Sequence, residues 1–230
     1  WMDAKVDDWV VTPRRGKAVE INALWYNALE LSRAWFCEHR YDHDGERWHS
    51  MSQQCHESFN RRFWSEDRGY LYDVVDGEAG DDPALRPNQL FAISLQHPAL
   101  HRDHWASVVE TVRENLLTSA GLRSLAADDP DYHGTYHGDV CDRDAAYHQG
   151  VVWSWLIGPM VLAWCKTHPD RKNEAAGWLT GLESHLGEGC IGQISEIFPG
   201  DSPLEPKGCF AQAWGVAELL RAKLLVAGTD

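Results

Sequence analysis

Two carboxylates in this 230-residue sequence stand where acid–base work on a sugar would need them, outside any helical pattern and among aromatic residues and glycines. Asp3 follows Trp1 and Met2, and Glu196 sits in Gly192-Gln193-Ile194-Ser195-Glu196-Ile197-Phe198-Pro199-Gly200, an apolar segment bounded by turn formers. Glycoside hydrolysis needs such a pair: one carboxylic acid protonates the leaving oxygen while a second carboxylate acts on the opposite face of the ring. Apolar neighbours favour the protonated form of a carboxyl group, and hydrogen bonds or cations favour the ionised form, so two settings can divide the two roles. The 12 tryptophans and 35 acidic residues point the same way. An indole offers a flat apolar face and an N–H donor to the CH face and hydroxyl rim of a sugar, and carboxylates accept from the hydroxyls. Taken singly, most of these tryptophans read equally as core residues of packed helices.

Other chemistries find no support. There is no GxSxG, no GxxxxGK[ST], no GxGxxG after a strand and no HExxH. Asp42, Asp44 and Gly45 suggest a calcium loop, but a third ligand before the glycine is missing and Gln53 stands where a bidentate glutamate is required. His133, His137 and Asp139 could approach a metal only on a helix, and Gly134 and Gly138 make that segment a loop. Neither a metal nor an organic cofactor is expected. With 21 basic and 35 acidic residues, the net charge of −14 repels nucleic acid and anionic membrane surfaces. No run of eighteen apolar residues exists to span a bilayer. The six cysteines form no CxxC pair and read as reduced core thiols, which suggests a cytoplasmic setting. The chain opens on Trp1 inside a motif, so further sequence is expected before it.

The elements that must hold these residues are mostly helices. From Val19 to His39 the residues Ile21, Leu24, Trp25, Ala28, Leu29, Leu31, Trp35 and Phe36 recur at three- and four-residue steps, which predicts one apolar stripe on a helix. A second helix is expected from His49 to Trp64, with the acidic segment Tyr41 to Glu46 joining the two. Tyr70 to Gly77 reads as a short extended excursion. Further helices are expected over Arg86 to Leu95, Asp103 to Leu117, Asp144 to Lys166, Lys172 to Leu186 and Cys209 to Val226. Seven helices without βαβ alternation predict one all-α domain over residues 1–230. Long loops rich in Gly, Pro, Asp, His and Tyr separate helix pairs at Asp76 to Asn88, Gly121 to Arg143 and Gly187 to Gly208, and loops of that length in a compact domain are usually functional.

Several segments together resemble the C-terminal glucosidase domain of glycogen debranching enzymes: WMDAKV from Trp1, TPRRGKAVEINALWYNAL from Thr12, LRPNQLFA from Leu85, YHGTYHGD from Tyr132, YHQGVVWSWLIGP from Tyr147, GQISEIF from Gly192 and GCFAQAWGVAELL from Gly208. The resemblance runs from Trp1 to about Leu220. It implies the six-hairpin glycosidase fold, an (α/α)6 toroid of helical hairpins, of which this chain would supply a C-terminal part with the N-terminal portion missing. It also implies an inverting hydrolase that removes glucose from α-1,6 branch stubs of glycogen or a related α-glucan.

The same resemblance distributes roles. WMD shortly before VEIN is similar to the trehalase arrangement of an acid aspartate followed by VDLN, which makes Asp3 the general acid. EIN also resembles the EVN beside the glucoamylase acid, which keeps Glu20 as a rival or as a helix-start carboxylate that bonds a sugar hydroxyl. SEIF is similar to the SEQF-type segment of the glucoamylase base and makes Glu196 the base, with Pro199 departing from the aspartate of many relatives. Arg86, Asn88 and Gln89, with Tyr132, His133, Tyr136 and His137, resemble loops lining the sugar pocket, and Trp1 and Gln149 join them. Arg86 reads equally as the partner of a structural carboxylate, and Trp153 as a subsite floor or a packing residue at the start of a buried helix. Two alternatives stay open: a trehalase-like or α-1,4-specific exo-glycosidase, and a carbohydrate-binding fragment without turnover. The partner in each case is an α-glucan or oligosaccharide.

Overall fold

The computed structural model describes residues 1–38 and 42–228. In chain order the elements are β1 (Lys5–Val6), β2 (Trp9–Val10), β3 (Lys17–Ala18), α1 (Val19–Glu38), α2 (Asp42–Phe63), β4 (Trp64–Ser65), β5 (Tyr70–Leu71), β6 (Val74–Gly77), β7 (Gly80–Asp82), α3 (Phe91–Ser94), α4 (Trp105–Leu116), β8 (Leu117–Thr118), β9 (Gly121–Arg123), α5 (Val140–Tyr147), β10 (Val152–Trp153), α6 (Ile157–Thr167), α7 (Lys172–His185), β11 (Ile197–Phe198) and α8 (Ala213–Ala227). Short 3-10 turns lead into α3, α4, α6 and α7. About 52% of the chain is helical, so the class is all-α as expected. No helix among the described residues is long and apolar enough to cross a membrane.

The chain divides into two compact units. Trp1–Pro13, Ala84–Pro87 and the residues from Glu110 onward form the first, and Arg14–Pro83 with Asn88–Val109 form the second. In the second unit α1 packs against α2 and α3. The single stripe expected on α1 is corrected: Val19, Ala23 and Leu29 are buried apolar residues, while Ile21, Leu24, Trp25 and Trp35 are 58, 42, 49 and 60% exposed. The helix is therefore apolar on two faces, one buried and one largely exposed. Its start is tied to the antiparallel sheet β3-β6-β7, where the Val19 N–H donates to the Asp73 carbonyl at 2.9 Å. α2 begins at Asp42, seven residues before the expected start, so most of the supposed acidic linker is helix.

In the first unit α6, α7 and α8 pack together beside a four-stranded antiparallel sheet in the order β11-β10-β9-β8. Trp164 fills the centre of α6, fully buried, with its Nε1 donating to the Arg171 carbonyl at 3.0 Å. The continuous helix expected over Asp144 to Lys166 does not form. It is split into α5 and α6, with β10 between them. Gly150 causes the break: its φ is +146°, and a Cβ there would lie 2.7 Å from the Tyr132 ring and 2.8 Å from the His133 carbonyl. Val151, Val152 and Trp153 then favour extended backbone, and Val152 pairs with both Arg123 and Phe198. Asp139 caps α5 in a reciprocal box with Asp142. The expected helices at Arg86 and Cys209 are shorter, as α3 begins at Phe91 and α8 at Ala213. The cysteines are not uniformly core: Cys165 is buried, Cys55 and Cys190 are partly so, and Cys141 and Cys209 are exposed.

Candidate active site

Glu196 is held through its backbone first. Its N–H donates to the Cys209 carbonyl at 2.8 Å, and its carbonyl accepts from the Ser154 N–H at 3.3 Å and the Ser154 hydroxyl at 3.1 Å. The side chain, half-buried, accepts three further bonds: Tyr147 Oη to Oε1 at 2.6 Å, Cys209 N to Oε2 at 3.0 Å, and Gln212 Nε2 to Oε1 at 3.4 Å. Next to it, the Ser195 N–H donates to His185 Nε2 at 3.2 Å. That bond requires an unprotonated Nε2, so the imidazole proton sits on Nδ1, which lies 3.2 Å from Glu188. The C-terminal turn of α7 thereby braces the loop that carries Glu196.

An aromatic cluster connects this carboxylate to the start of the chain. His148 and Trp153 stack with centroids 5.2 Å apart. Tyr147 lies against both, at 4.7 and 4.8 Å. Trp1 meets the same two rings edge-on, at 5.2 Å from His148 and 5.3 Å from Trp153, and also Trp155 at 5.5 Å. Asp3 follows two residues later with its side chain exposed, between buried Met2 and strand β1. Trp1, Asp3, Trp153 and Glu196 thus belong to one unit, in which the aromatic cluster links Trp1 to the partner of Glu196. Trp153 lies on β10 and not at the start of a helix, which corrects that expectation; it is 2% exposed, and its Nε1 donates to the Tyr147 carbonyl at 2.9 Å.

Arg86 is a buried strut. It donates to the Ser124 carbonyl at 3.1 Å, the His148 carbonyl at 2.6 Å and Gln149 Oε1 at 2.6 Å, and so ties three segments beneath the aromatic cluster. Gln149 is oriented by that bond. His133 is exposed, with Nδ1 2.8 Å from the Asp131 carbonyl, and Tyr132 donates to Asp201 at 3.0 Å. Tyr136 is half-buried with its ring 5.8 Å from Tyr147, and His137 is exposed on the same loop. Among the described residues no three His, Cys, Asp or Glu side chains gather to hold a metal ion.

Glu20 and Gln89 lie in the second unit. Glu20 is 4% exposed, and both of its oxygens are taken by Arg14, at 2.5 Å from Nη1 and 2.7 Å from Nη2. Arg14 also holds Asp73, with Nε at 2.6 Å and Nη2 at 3.0 Å. Burial alone would lower the Arg14 pKa; the hydrogen bonds and charges of Glu20 and Asp73 outweigh it and raise it, so the guanidinium stays charged. Asn88 donates to Asp73 Oδ1 at 2.8 Å, and Gln89 Oε1 accepts the Leu71 N–H at 3.1 Å. A cavity of about 550 Å³ in this unit is lined by Lys17, Trp25, Cys55, Arg61 and Phe63 among others, and none of the candidate site residues lines it.

Tyr147, Cys209, Gly208 and His185 were missed as functional candidates. The sequence does carry a signal for Tyr147, since YHQG has a tyrosine directly before the buried His148, but the expected helix runs on to Lys166 and conceals that Tyr147 ends α5. Gly208 has φ +68°, and a Cβ there would lie 2.5 Å from Glu196 Oε2. Nothing in the sequence alone marks that approach.

Comparison with known proteins bears on what this arrangement serves. The glycogen debranching enzyme of Saccharomyces cerevisiae is 28% identical, over 71% of this chain and 13% of its own length. Among solved structures, neutral trehalase from Saccharomyces cerevisiae matches 93% of this chain and 40% of its own, with a TM-score of 0.65 at 13% identity. The GH63 mannosylglycerate hydrolase from Thermus thermophilus, in complex with glucose, matches 93% of this chain and 48% of its own, with a TM-score of 0.62 at 14% identity. These likenesses show the helical-hairpin fold of the (α/α)6 class. The chain spans less than half the length of these structures and about an eighth of the yeast debranching enzyme. The amylo-alpha-1,6-glucosidase family matches residues 1–221, and this chain belongs to that family of glycoside hydrolases.

Proposed function

We propose that this chain carries the acid and base of a glucosidase that releases glucose from α-1,6 branch stubs of glycogen or a related α-glucan. The observation that carries the reading is the cluster joining Trp1, just ahead of Asp3, to Tyr147, the partner of Glu196, across His148 and Trp153. Asp3 protonates the bridging oxygen as the bond from that oxygen to C1 breaks. Glu196 takes a proton from the water whose oxygen bonds to C1, so the anomeric configuration inverts. Glu20 is a poor proton donor in this reading, because both its oxygens are committed to a charged guanidinium. Gln149 and Trp1 border the glucose in this reading, with Trp153, 2% exposed, packed behind Trp1, and Tyr136, His133 and His137 on the loop at its edge.

Glucose release from branched limit dextrin, beside maltose and trehalose, tests the substrate, and proton NMR of the first-formed anomer tests inversion. Asp3→Asn and Glu196→Gln should each lower turnover by about 100-fold or more while sugar binding survives. Near-normal hydrolysis by the Asp3→Asn protein rejects the assignment, and so does a separation of the two carboxyls near the ~5–5.5 Å of retaining enzymes instead of the ~6.5–9.5 Å of inverting ones. Trehalose or maltose as the preferred substrate selects a different exo-glycosidase. Glucan binding without glucose release selects a binding role.

A further inference from the structure

We infer that Tyr147 is a positioning residue that decides which oxygen of Glu196 receives the proton from water, an inference that rests on the acid–base reading above. The two carboxylate oxygens are not equivalent. Oε1 accepts the phenol at 2.6 Å and the longer bond from Gln212 at 3.4 Å, whereas Oε2 accepts the Cys209 N–H at 3.0 Å. A carboxylate offers about four acceptor sites, and a phenol-to-carboxylate bond is among the stronger hydrogen bonds available to it. Oε1 is therefore the anchored oxygen and Oε2 the working one.

The surroundings of Oε2 agree. Gly208 adopts φ +68°, and a Cβ there would stand 2.5 Å from Oε2, so glycine keeps the approach to this oxygen open. A water oxygen donating to a carboxylate needs a separation of about 2.5–3.0 Å. A Cβ at 208 would occupy space within that distance of Oε2.

Tyr147 is built to hold this position. It is the last residue of α5, its carbonyl accepts from Trp153 Nε1 at 2.9 Å, and its ring lies against His148 and Trp153. With ring and backbone both held, the hydroxyl oxygen stays beside Oε1 and donates to it. Burial first, and then the hydrogen bond to Glu196 and its negative charge, push the phenol pKa well above its ordinary value. The group stays protonated across the working range, so it donates to the base and does not replace it. In the reacting step a water proton passes to Oε2, the water oxygen bonds to C1, and the C1–oxygen bond breaks with its electron pair going to the bridging oxygen. The phenol proton stays on Tyr147 throughout.

Tyr147→Phe in the full chain tests this, because it keeps the ring and removes only the donor. Turnover should fall on the order of 10- to 100-fold with KM within about twofold, and the acidic limb of the rate–pH profile should move to higher pH. A second measurement is independent of turnover. Carboxyl carbon-13 NMR, with the Glu196 resonance identified by its loss in Glu196→Gln, should show that carboxyl titrating at higher pH in Tyr147→Phe than in the parent. An unchanged titration, or a fall in turnover without movement of the acidic limb, assigns Tyr147 a packing role and overturns the inference. Undiminished hydrolysis by Glu196→Gln refutes the acid–base reading instead, while the titration still reports on the pair.

Discussion

Replacing Arg14 by methionine gives the sharpest test of the assignment of Glu20. The guanidinium makes four bonds to two carboxylates, at 2.5 and 2.7 Å to Glu20 and at 2.6 and 3.0 Å to Asp73. The side chains of Arg14, Glu20 and Asp73 are 9, 5 and 1% exposed. Charge-assisted bonds contribute about 1.5–3 kcal/mol each, so four of them added naively would reach most of the stability of a domain. Desolvation of three charges offsets the larger part of that. The relevant quantity is the cost of leaving two carboxylates buried without their cation, about 3–5 kcal/mol for a broken buried pair. Against a typical stability of ~5–15 kcal/mol, this is a large loss. Urea unfolding at pH 7, followed by tryptophan fluorescence and far-ultraviolet circular dichroism, should show it as a drop in midpoint. The deficit should shrink on acidification as the stranded carboxylates take up protons, and Glu20→Gln in the same background should recover part of it. A loss below about 1 kcal/mol would mean the triad is solvated and worth no more than a surface pair. Glu20 would then be free to act elsewhere.

Two further outcomes follow from the geometry. Gly208→Ala places a Cβ 2.5 Å from Oε2 in a backbone conformation with φ +68° that alanine resists, so glucose release should fall at least about tenfold with little change in helical content; unaltered turnover would refute the importance of that approach. His56 is pressed between Tyr26 and His101, with Glu30 and Glu57 also facing it, and burial first, then the charge of His101, holds its pKa below the ordinary 6.5. The unfolded chain therefore binds the proton more readily, so the contribution of His56 is fully present above pH ~6.5 and is lost as pH falls through the lower folded value. His56→Gln should flatten the decline in urea midpoint between pH ~7.5 and ~5.5, and an identical slope in both proteins would contradict the assigned direction.

Periodic elements were the legible part of the fold. α1 and α7 were placed within a residue or so of their ends, because apolar spacing and first-turn acids are local signals. The break at Gly150 was hidden because its cause is the Tyr132 ring, eighteen positions earlier, which no window over the helix contains. Trp25 and Trp35 looked like core for a related reason: periodicity finds a face and cannot say whether anything covers it. In the candidate site, Glu196 stands out in the sequence by the residues around it, but its partner Tyr147 is 49 positions away and Arg14 reaches Asp73 across 59. Such pairs leave no periodic trace. The structure gives Arg86 a bracing part that the sequence did not suggest, because its acceptors include two main-chain carbonyls and an amide oxygen, which a reading of side-chain types does not count.

The main-chain anchoring of Glu196 separates this carboxylate from the surface that follows it. Beyond Phe198 the chain is pinned where the Gly200 N–H meets the Gly134 carbonyl at 2.7 Å, and it is pinned again where the Lys207 N–H returns to the Ile197 carbonyl at 2.9 Å. Between these two clasps Ser202, Pro203, Glu205 and Pro206 face solvent. Closing a somewhat longer arc over the same clasps costs little, since doubling a loop adds only about 0.6 kcal/mol. This short arc is thus a place where a tag, a spectroscopic reporter or a recognition peptide can be grafted while the carboxylate keeps its aim.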